Sequence, residues 1–393
     1  MYIYIINIEF FITLIINIYF FVNLRNYYIV ISHFHKTMKK GALTLKEQYM
    51  LYGLVQNPQM TDKELSETIK LKHSTATAIR HRLRNYEFFR TLVIPRLQNL
   101  GCDMLVAIYT SFSPLIPLEE RIRITEPTIE VFDEIFLSVG EQDKGFSLSL
   151  SKDYATIGNI NDIRTQTFGG RGLLEDEYPN MVVFPFTISK IYRYLDFAPL
   201  LKTHFKIDFE TEKTIRNYGS QDNTNVMFME TEKNVYYLLV KYPEMSDDDI
   251  GKELGVSRHT VSRIRRGFEK DKLIRKINIP DLKKLGFEIL TFTHIRFDPR
   301  NPPDMERDEA AVLMDNSTIF MACRMYETVM LSIHYNYEAY KGDKTKMMQI
   351  LRENKWIAKD PVVRTYGLNT MIFIKDFKFA PIARKIVGCT LLI

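Results

Sequence analysis

Apolar residues in the stretch 231–242 fall at Val235, Leu238 and Leu239, the three-to-four-residue spacing of a helix with one buried face, and Pro243 predicts its end. A second helix is predicted from Ser246, whose hydroxyl can cap it with Asp249 three residues on. Gly255 turns the chain. Ser257 then caps a third helix, Arg258 to about Lys270, with Val261, Ile264 and Phe268 on its inner face. The alternating run 273–279 follows as a β wing, and the whole reads as a tri-helical helix-turn-helix. Further on, the pattern predicts a strand at 288–297, a helix at 305–315, a β pair at 317–335, a helix at 343–354 and a final strand at 362–374.

The same pattern occurs earlier. Pro58–Leu65 lies over Pro243–Ile250 at an offset of 185, which runs without a gap from about Lys46 to Leu105, and Thr61 and Glu64 stand where Ser246 and Asp249 do. Identical pairs include Pro58/Pro243, Met60/Met245, Asp62/Asp247, Arg80/Arg265, Arg90/Arg275, Pro95/Pro280 and Gly101/Gly286. Phe197-Ala198-Pro199 answers Phe379-Ala380-Pro381 at an offset of 182, so the reading is an internal duplication of everything after Met38. The expected class is α+β. Two winged helix-turn-helix domains (43–101 and 228–286) are each followed by a ferredoxin-like βαββαβ domain (102–207 and 287–388), with a linker at 208–227.

The chain has 393 residues, 46% of them hydrophobic, and a formal net charge of +5, which is too mild by itself to establish a nucleic-acid partner. Location says more. Residues 257–276 hold eight basic side chains against two acidic, a net of +6, and 72–90 hold five against one, a net of +4. That charge sits where a reading helix meets a duplex, and double-stranded DNA is the expected partner. The outward residues of the second reader are Arg258, His259, Ser262, Arg263 and Arg266, with Arg275 and Lys276 on the wing. Those of the first are His73, Ser74, Thr77, Arg80, His81 and Arg84. The two sets differ, which predicts an asymmetric site.

Gly255-Val256-Ser257-Arg258-His259-Thr260-Val261-Ser262-Arg263-Ile264, then Leu273-Ile274-Arg275-Lys276, then Pro280-Asp281-Leu282-Lys283-Lys284-Leu285-Gly286, resembles the DNA-binding domain of Lrp/AsnC-type prokaryotic regulators. The first copy is similar, with Lys70-Leu71-Lys72 in place of the Gly-Val-Ser. The resemblance implies a transcription regulator whose ferredoxin-like modules serve assembly or the sensing of a small-molecule effector. Here they would pair within one chain as a pseudo-dimer, with further homo-oligomers as an extension. The family's Gly-containing loop is replaced by Met325-Tyr326-Glu327-Thr328 and Gln142-Asp143-Lys144-Gly145, which speaks against amino-acid sensing.

Two rival readings remain. One is an enzyme on the same scaffold, as in the siroheme decarboxylases; the other is a sequence-tolerant architectural DNA binder. No catalytic constellation stands out: His294 and His334 fall on strands as packed or surface residues, and Gly169-Gly170-Arg171-Gly172 lacks the Gly-Lys-Ser/Thr of a phosphate loop. The expectation is therefore a non-enzyme with neither cofactor nor metal. Cys102, Cys323 and Cys389 are far apart and read as reduced thiols of a cytoplasmic protein. Residues 1–37 stand apart, rich in Ile, Tyr, Phe and Asn: a mis-assigned start ahead of Met38, a membrane tether, or an arm.

Overall fold

The computed structural model describes residues 43–175, 178–208 and 226–391. The apolar N-terminal segment and nearly all of the expected linker lie outside them. Two compact units are distinguished, Met1–Gln48 and Tyr49–Ile393. In the first, Thr44 donates through its backbone amide and its hydroxyl to the Glu47 carboxylate, at 2.8 and 2.6 Å.

Helices α1 (Leu45–Gln56), α2 (Asp62–Thr68) and α3 (His73–Asn85) precede strand β1 (Phe89–Pro95), and α7 (Glu230–Lys241), α8 (Asp247–Leu254) and α9 (Arg258–Lys270) precede β7 (Ile274–Pro280). The caps read from the sequence form. Thr61 makes a capping box with Glu64, the Ser246 hydroxyl accepts from the Asp249 amide at 3.1 Å, and the Ser257 hydroxyl accepts from the Thr260 amide at 3.1 Å. Gly255 sits at φ +65°, a left-handed conformation that side chains with a Cβ rarely adopt. On α9, Val261, Ile264 and Phe268 are buried as their spacing requires.

The expected wings differ from a hairpin. Strand β1 pairs antiparallel with β7 along its full length, from Phe89 opposite Pro280 to Pro95 opposite Ile274. The strand behind each third helix is thus half of one shared ribbon. Hydrophobic alternation fixes which face of a strand is buried but does not name its partner.

After β1 come β2 (Met104–Ser111), α4 (Leu118–Glu130), β3 (Ile135–Glu141), β4 (Lys144–Ser151), α5 (Tyr154–Gly169), β5 (Asn180–Pro185), β6 (Lys190–Tyr194) and α6 (Ala198–His204). After β7 come β8 (Ile289–Arg296), β9 (Thr318–Arg324), β10 (Glu327–His334), α10 (Tyr337–Glu353), β11 (Val362–Gly367), β12 (Ile372–Lys375) and α11 (Ala380–Val387). The helix expected at 305–315 is a short 3-10 turn, Glu309–Leu313, entered through Asp308 at φ +54°. The single final strand expected at 362–374 is two strands, β11 and β12, that part company.

Each five-stranded sheet is completed by the other half of the chain. One has the order β12-β3-β4-β2-β5 and the other β11-β8-β10-β9-β6, so β12 leaves its own half to pair with β3, while β6 pairs with β9. The sheets face one another. Tyr109 packs on Phe292 with ring centroids 5.3 Å apart, and Phe146 meets Phe292 at 5.1 Å and Tyr366 at 5.3 Å. On the outer face of the first sheet, Val106 and Ile108 pack with Ile129, Ile157, Ile160 and Phe168 of α4 and α5. On the second, Ile295 and Met330 pack with Leu351 and Trp356. Strands covered on both faces carry nearly continuous apolar runs, and burying one such side chain stabilises by roughly 1.5–3 kcal/mol.

Candidate nucleic-acid interface

The cationic residues singled out in the sequence divide into two groups. Arg80 is spent inside the fold: its guanidinium meets the Asp62 carboxylate at 2.5 Å and donates to the Met60 carbonyl at 2.8 Å. Arg265 does the same in the second copy, with Asp247 at 2.7 Å and the Met245 carbonyl at 3.1 Å. Identity at these three positions therefore preserves a clasp between neighbouring helices, and Arg80 moves from reader to structural residue. Arg275 likewise donates to the Tyr194 carbonyl, while its counterpart Arg90 donates to the Asp376 carboxylate.

Arg84 pairs with Glu244 at 3.1 Å, and the same carboxylate accepts from the Thr91 hydroxyl at 3.2 Å. Lys276 is half-buried. Burial pushes its ammonium pKa down, Arg265, Arg84 and Arg80 push the same way, and Glu244 opposes them. Most cations of the first reader and of the ribbon are thus held by the protein's own acids and carbonyls.

Helix α9 presents the opposite picture. Arg258, His259, Arg263, Arg266 and Lys270 are exposed and Ser262 is half-exposed, all on the side away from Val261, Ile264 and Phe268. Arg263, Arg266 and Lys270 make no ion pair with any described residue; Arg266 only donates to the Ser262 carbonyl at 3.3 Å, one turn back. Arg258 lies near Asp248, whose carboxyl is held below the usual range chiefly by its hydrogen bond to Lys252. On α3, His73, Ser74, Thr77 and His81 are exposed, and His81 shares a 2.9 Å contact with Asn85. The two helices differ in free charge more than their sequences suggested, because acidic partners such as Glu244 come from elsewhere in the chain.

The histidines set aside as packed or surface residues are buried beside carboxylates. The Tyr109 hydroxyl meets His294 Nδ1 at 3.1 Å, and His294 Nε2 lies 3.6 Å from Glu327 Oε1. Arg324 pairs with Glu327 at 2.5 Å, and His294 first, then Arg324, hold the Glu327 carboxyl at about 2 against the opposing effect of burial. His334 bridges the Thr291 hydroxyl at 3.2 Å and Asp343 at 3.0 Å. Neither carboxylate partner was visible in the sequence. Glu327 reaches His294 only because β10 lies beside β8, and Asp343 reaches His334 from the helix that follows β10.

All three cysteines are buried and free, and burial pushes the Cys102 and Cys323 thiols up to about 12. Among the described residues no group of three or more His, Cys, Asp or Glu side chains is arranged to hold a metal ion. No helix among them is long and apolar enough to cross a membrane.

No family model matches the chain, and no curated protein matches its sequence. Among solved structures, a siroheme decarboxylase, NirDL, is similar over 88% of this chain and 99% of its own, at 10% identity and a TM-score of 0.47. The AsnC-family regulator of Agrobacterium tumefaciens is similar over 36% of this chain and 89% of its own, at 16% identity and a TM-score of 0.28. A Pyrococcus furiosus member of the same family covers 37% and 90%, at 19% identity and a TM-score of 0.30. The likeness to AsnC-type regulators thus extends over about a third of the chain. The expectation of a non-enzyme is corrected by the first of these structures, because a match running the length of both chains is to an enzyme.

Proposed function

We propose that the chain binds double-stranded DNA through helix α9, with α3 as a weaker second contact, in the manner of a sequence-specific regulator. The observation that carries this is the exposed face of α9, where Arg263, Arg266 and Lys270 have no ionic partner among the described residues. Such a face neutralises phosphates and releases counterions, and side chains of a helix in the major groove reach base edges. Because α3 spends Arg80 and Arg84 on Asp62 and Glu244, an asymmetric site follows, dominated by the second copy.

The test is selection from randomised duplex DNA followed by a salt series, with the R258A/R263A/R266A triple variant alongside. Affinity should fall with salt, and the variant should lose affinity and about two to three from the log–log salt slope. Absence of binding at low salt, or an unchanged slope, overturns the reading. Binding with salt dependence but no selected sequence turns it into an architectural binder.

A second reading, catalysis on the same scaffold, is favoured by the buried His294, which is hydrogen-bonded to the Tyr109 hydroxyl at 3.1 Å and has the Glu327 carboxylate 3.6 Å from its other ring nitrogen. A tetrapyrrole substrate such as siroheme would give the purified protein visible absorbance. A colourless protein that neither binds nor consumes added siroheme removes that form of the reading.

A further inference from the structure

A cavity of about 410 Å³ opens between the ribbon and the two sheets. Its inner wall is apolar, including the buried Leu137, Ile279, Leu290, Ile319 and Leu331. Charged groups are confined to the mouth, where Arg90 and Lys283 stand with Glu87, Asp281 and Asp376. The Arg90–Asp376 ion pair is half-exposed there, with side-chain exposures of 47% and 34%.

The duplication supplies a control within the same chain. Register places Leu137 opposite the position that Phe320 takes in the other half: Val139 pairs with Phe373 as Ala322 pairs with Ile191. One residue earlier, Ile319 corresponds to Phe136, since the Ile319 carbonyl accepts from the Asp196 amide as the Phe136 carbonyl accepts from the Lys378 amide. Asp376 corresponds to Tyr194: each accepts from the arginine of the other half, Asp376 through its carboxylate and Tyr194 through its backbone carbonyl. On the far side these three positions are therefore Phe320, Phe136 and Tyr194, all buried, with Phe136 at 6.4 Å from Tyr194 and 4.6 Å from Phe379, and Tyr194 at 5.8 Å from Phe320. Aromatic rings fill that side. Leucine, isoleucine and a half-exposed aspartate leave the near side open.

We propose that this cavity is a binding site for one neutral, predominantly apolar small molecule per chain, seated against Leu137 and Ile319 with its hydrogen-bonding end at the Arg90–Asp376 mouth. The volume lies within the range of about 300–1,000 Å³ used by small-ligand sites. Nothing in the wall would repay the burial of a charge, since the ionic groups at the mouth include both signs and two are already paired. Apolar walls of this kind favour apolar guests. The site stands on packing alone and is independent of DNA binding.

The test uses the full-length protein and Nile red, a neutral hydrophobic dye, followed by fluorescence, with displacement by 1-decanol, decanoate and decylammonium. The expected result is saturable binding of one dye per chain, displaced by decanol at lower concentration than by either ion. The L137F/I319F variant imports the aromatic filling of the other half and should bind at least tenfold more weakly while melting no lower than the native chain. D376Y, at the half-exposed mouth, gives a second reading if the double variant fails to fold. Non-saturable binding, two dyes per chain, better displacement by an ion, or undiminished binding by folded L137F/I319F or D376Y would each overturn the proposal.

Discussion

Glu327 keeps its charge in a place largely closed to water because His294 and Arg324 stand beside it, so its carboxyl titrates at about 2 rather than at the ordinary value of 4.5. A group whose pKa is depressed by folding contributes stability that is complete above the unfolded value and lost as pH falls through the folded one. The window is therefore pH 4.5 down to about 2. Urea unfolding at pH 6, 4 and 3 should show stability declining with acid, and E327Q should decline less steeply over that interval. Parallel profiles would place the acid sensitivity in other groups. Arg80 makes the complementary point: its charge was legible in the sequence, but its use was not. A cation on a helix reads the same whether it faces phosphate or, as here, the Asp62 carboxylate 18 positions back in the chain.

The β1–β7 ribbon joins the two helical units through a buried polar step. The Thr91 hydroxyl donates to Asn278 Oδ1 at 2.8 Å, and Asn278 Nδ2 donates to the Leu54 carbonyl at 2.8 Å. N278A should cost about 1–3 kcal/mol, because it leaves the buried Leu54 carbonyl without its donor and the Thr91 hydroxyl with Glu244 alone. A urea midpoint shift with unchanged m value would show it, and a shift below a few tenths of that would mean water replaces the amide. Elements that depend on local chemistry were legible: the caps at Thr61, Ser246 and Ser257, the Gly255 turn, and the buried stripe of α9 all lie within a few residues of the signals that announce them. Elements defined by distant partners were not. The pattern at 362–374 marks apolar residues but gives no sign that Gly367 ends one strand and Ile372 begins another in the opposite sheet, and Asp308 admits only a 3-10 turn where apolar spacing suggested a helix. The cavity was invisible for the same reason, since its walls come from β3, the β8–β10 ladder and the chain after β12.

Across the whole molecule, the exchange of β6 and β12 makes the halves mutually dependent. Segments 43–208 and 226–391, prepared separately, should each lack a cooperative melting transition and should regain one when mixed. Circular dichroism on the separate and combined samples checks this, and independent cooperative melting of either half would show that the exchanged strands are dispensable. The same exchange has a consequence for how the chain is made. Gly140 of β3 is opposite Ile372 of β12, 232 positions later. At roughly 5–20 residues per second, the ribosome delivers the second of these on the order of ten to fifty seconds after the first. Throughout that interval the edge of β3 is bare, and an unpaired edge recruits whatever strand arrives first, including one from a neighbouring ribosome on the same message. Yield in a cell should thus depend on translation speed between the two halves, with slow synthesis there favouring chains joined to the wrong neighbour.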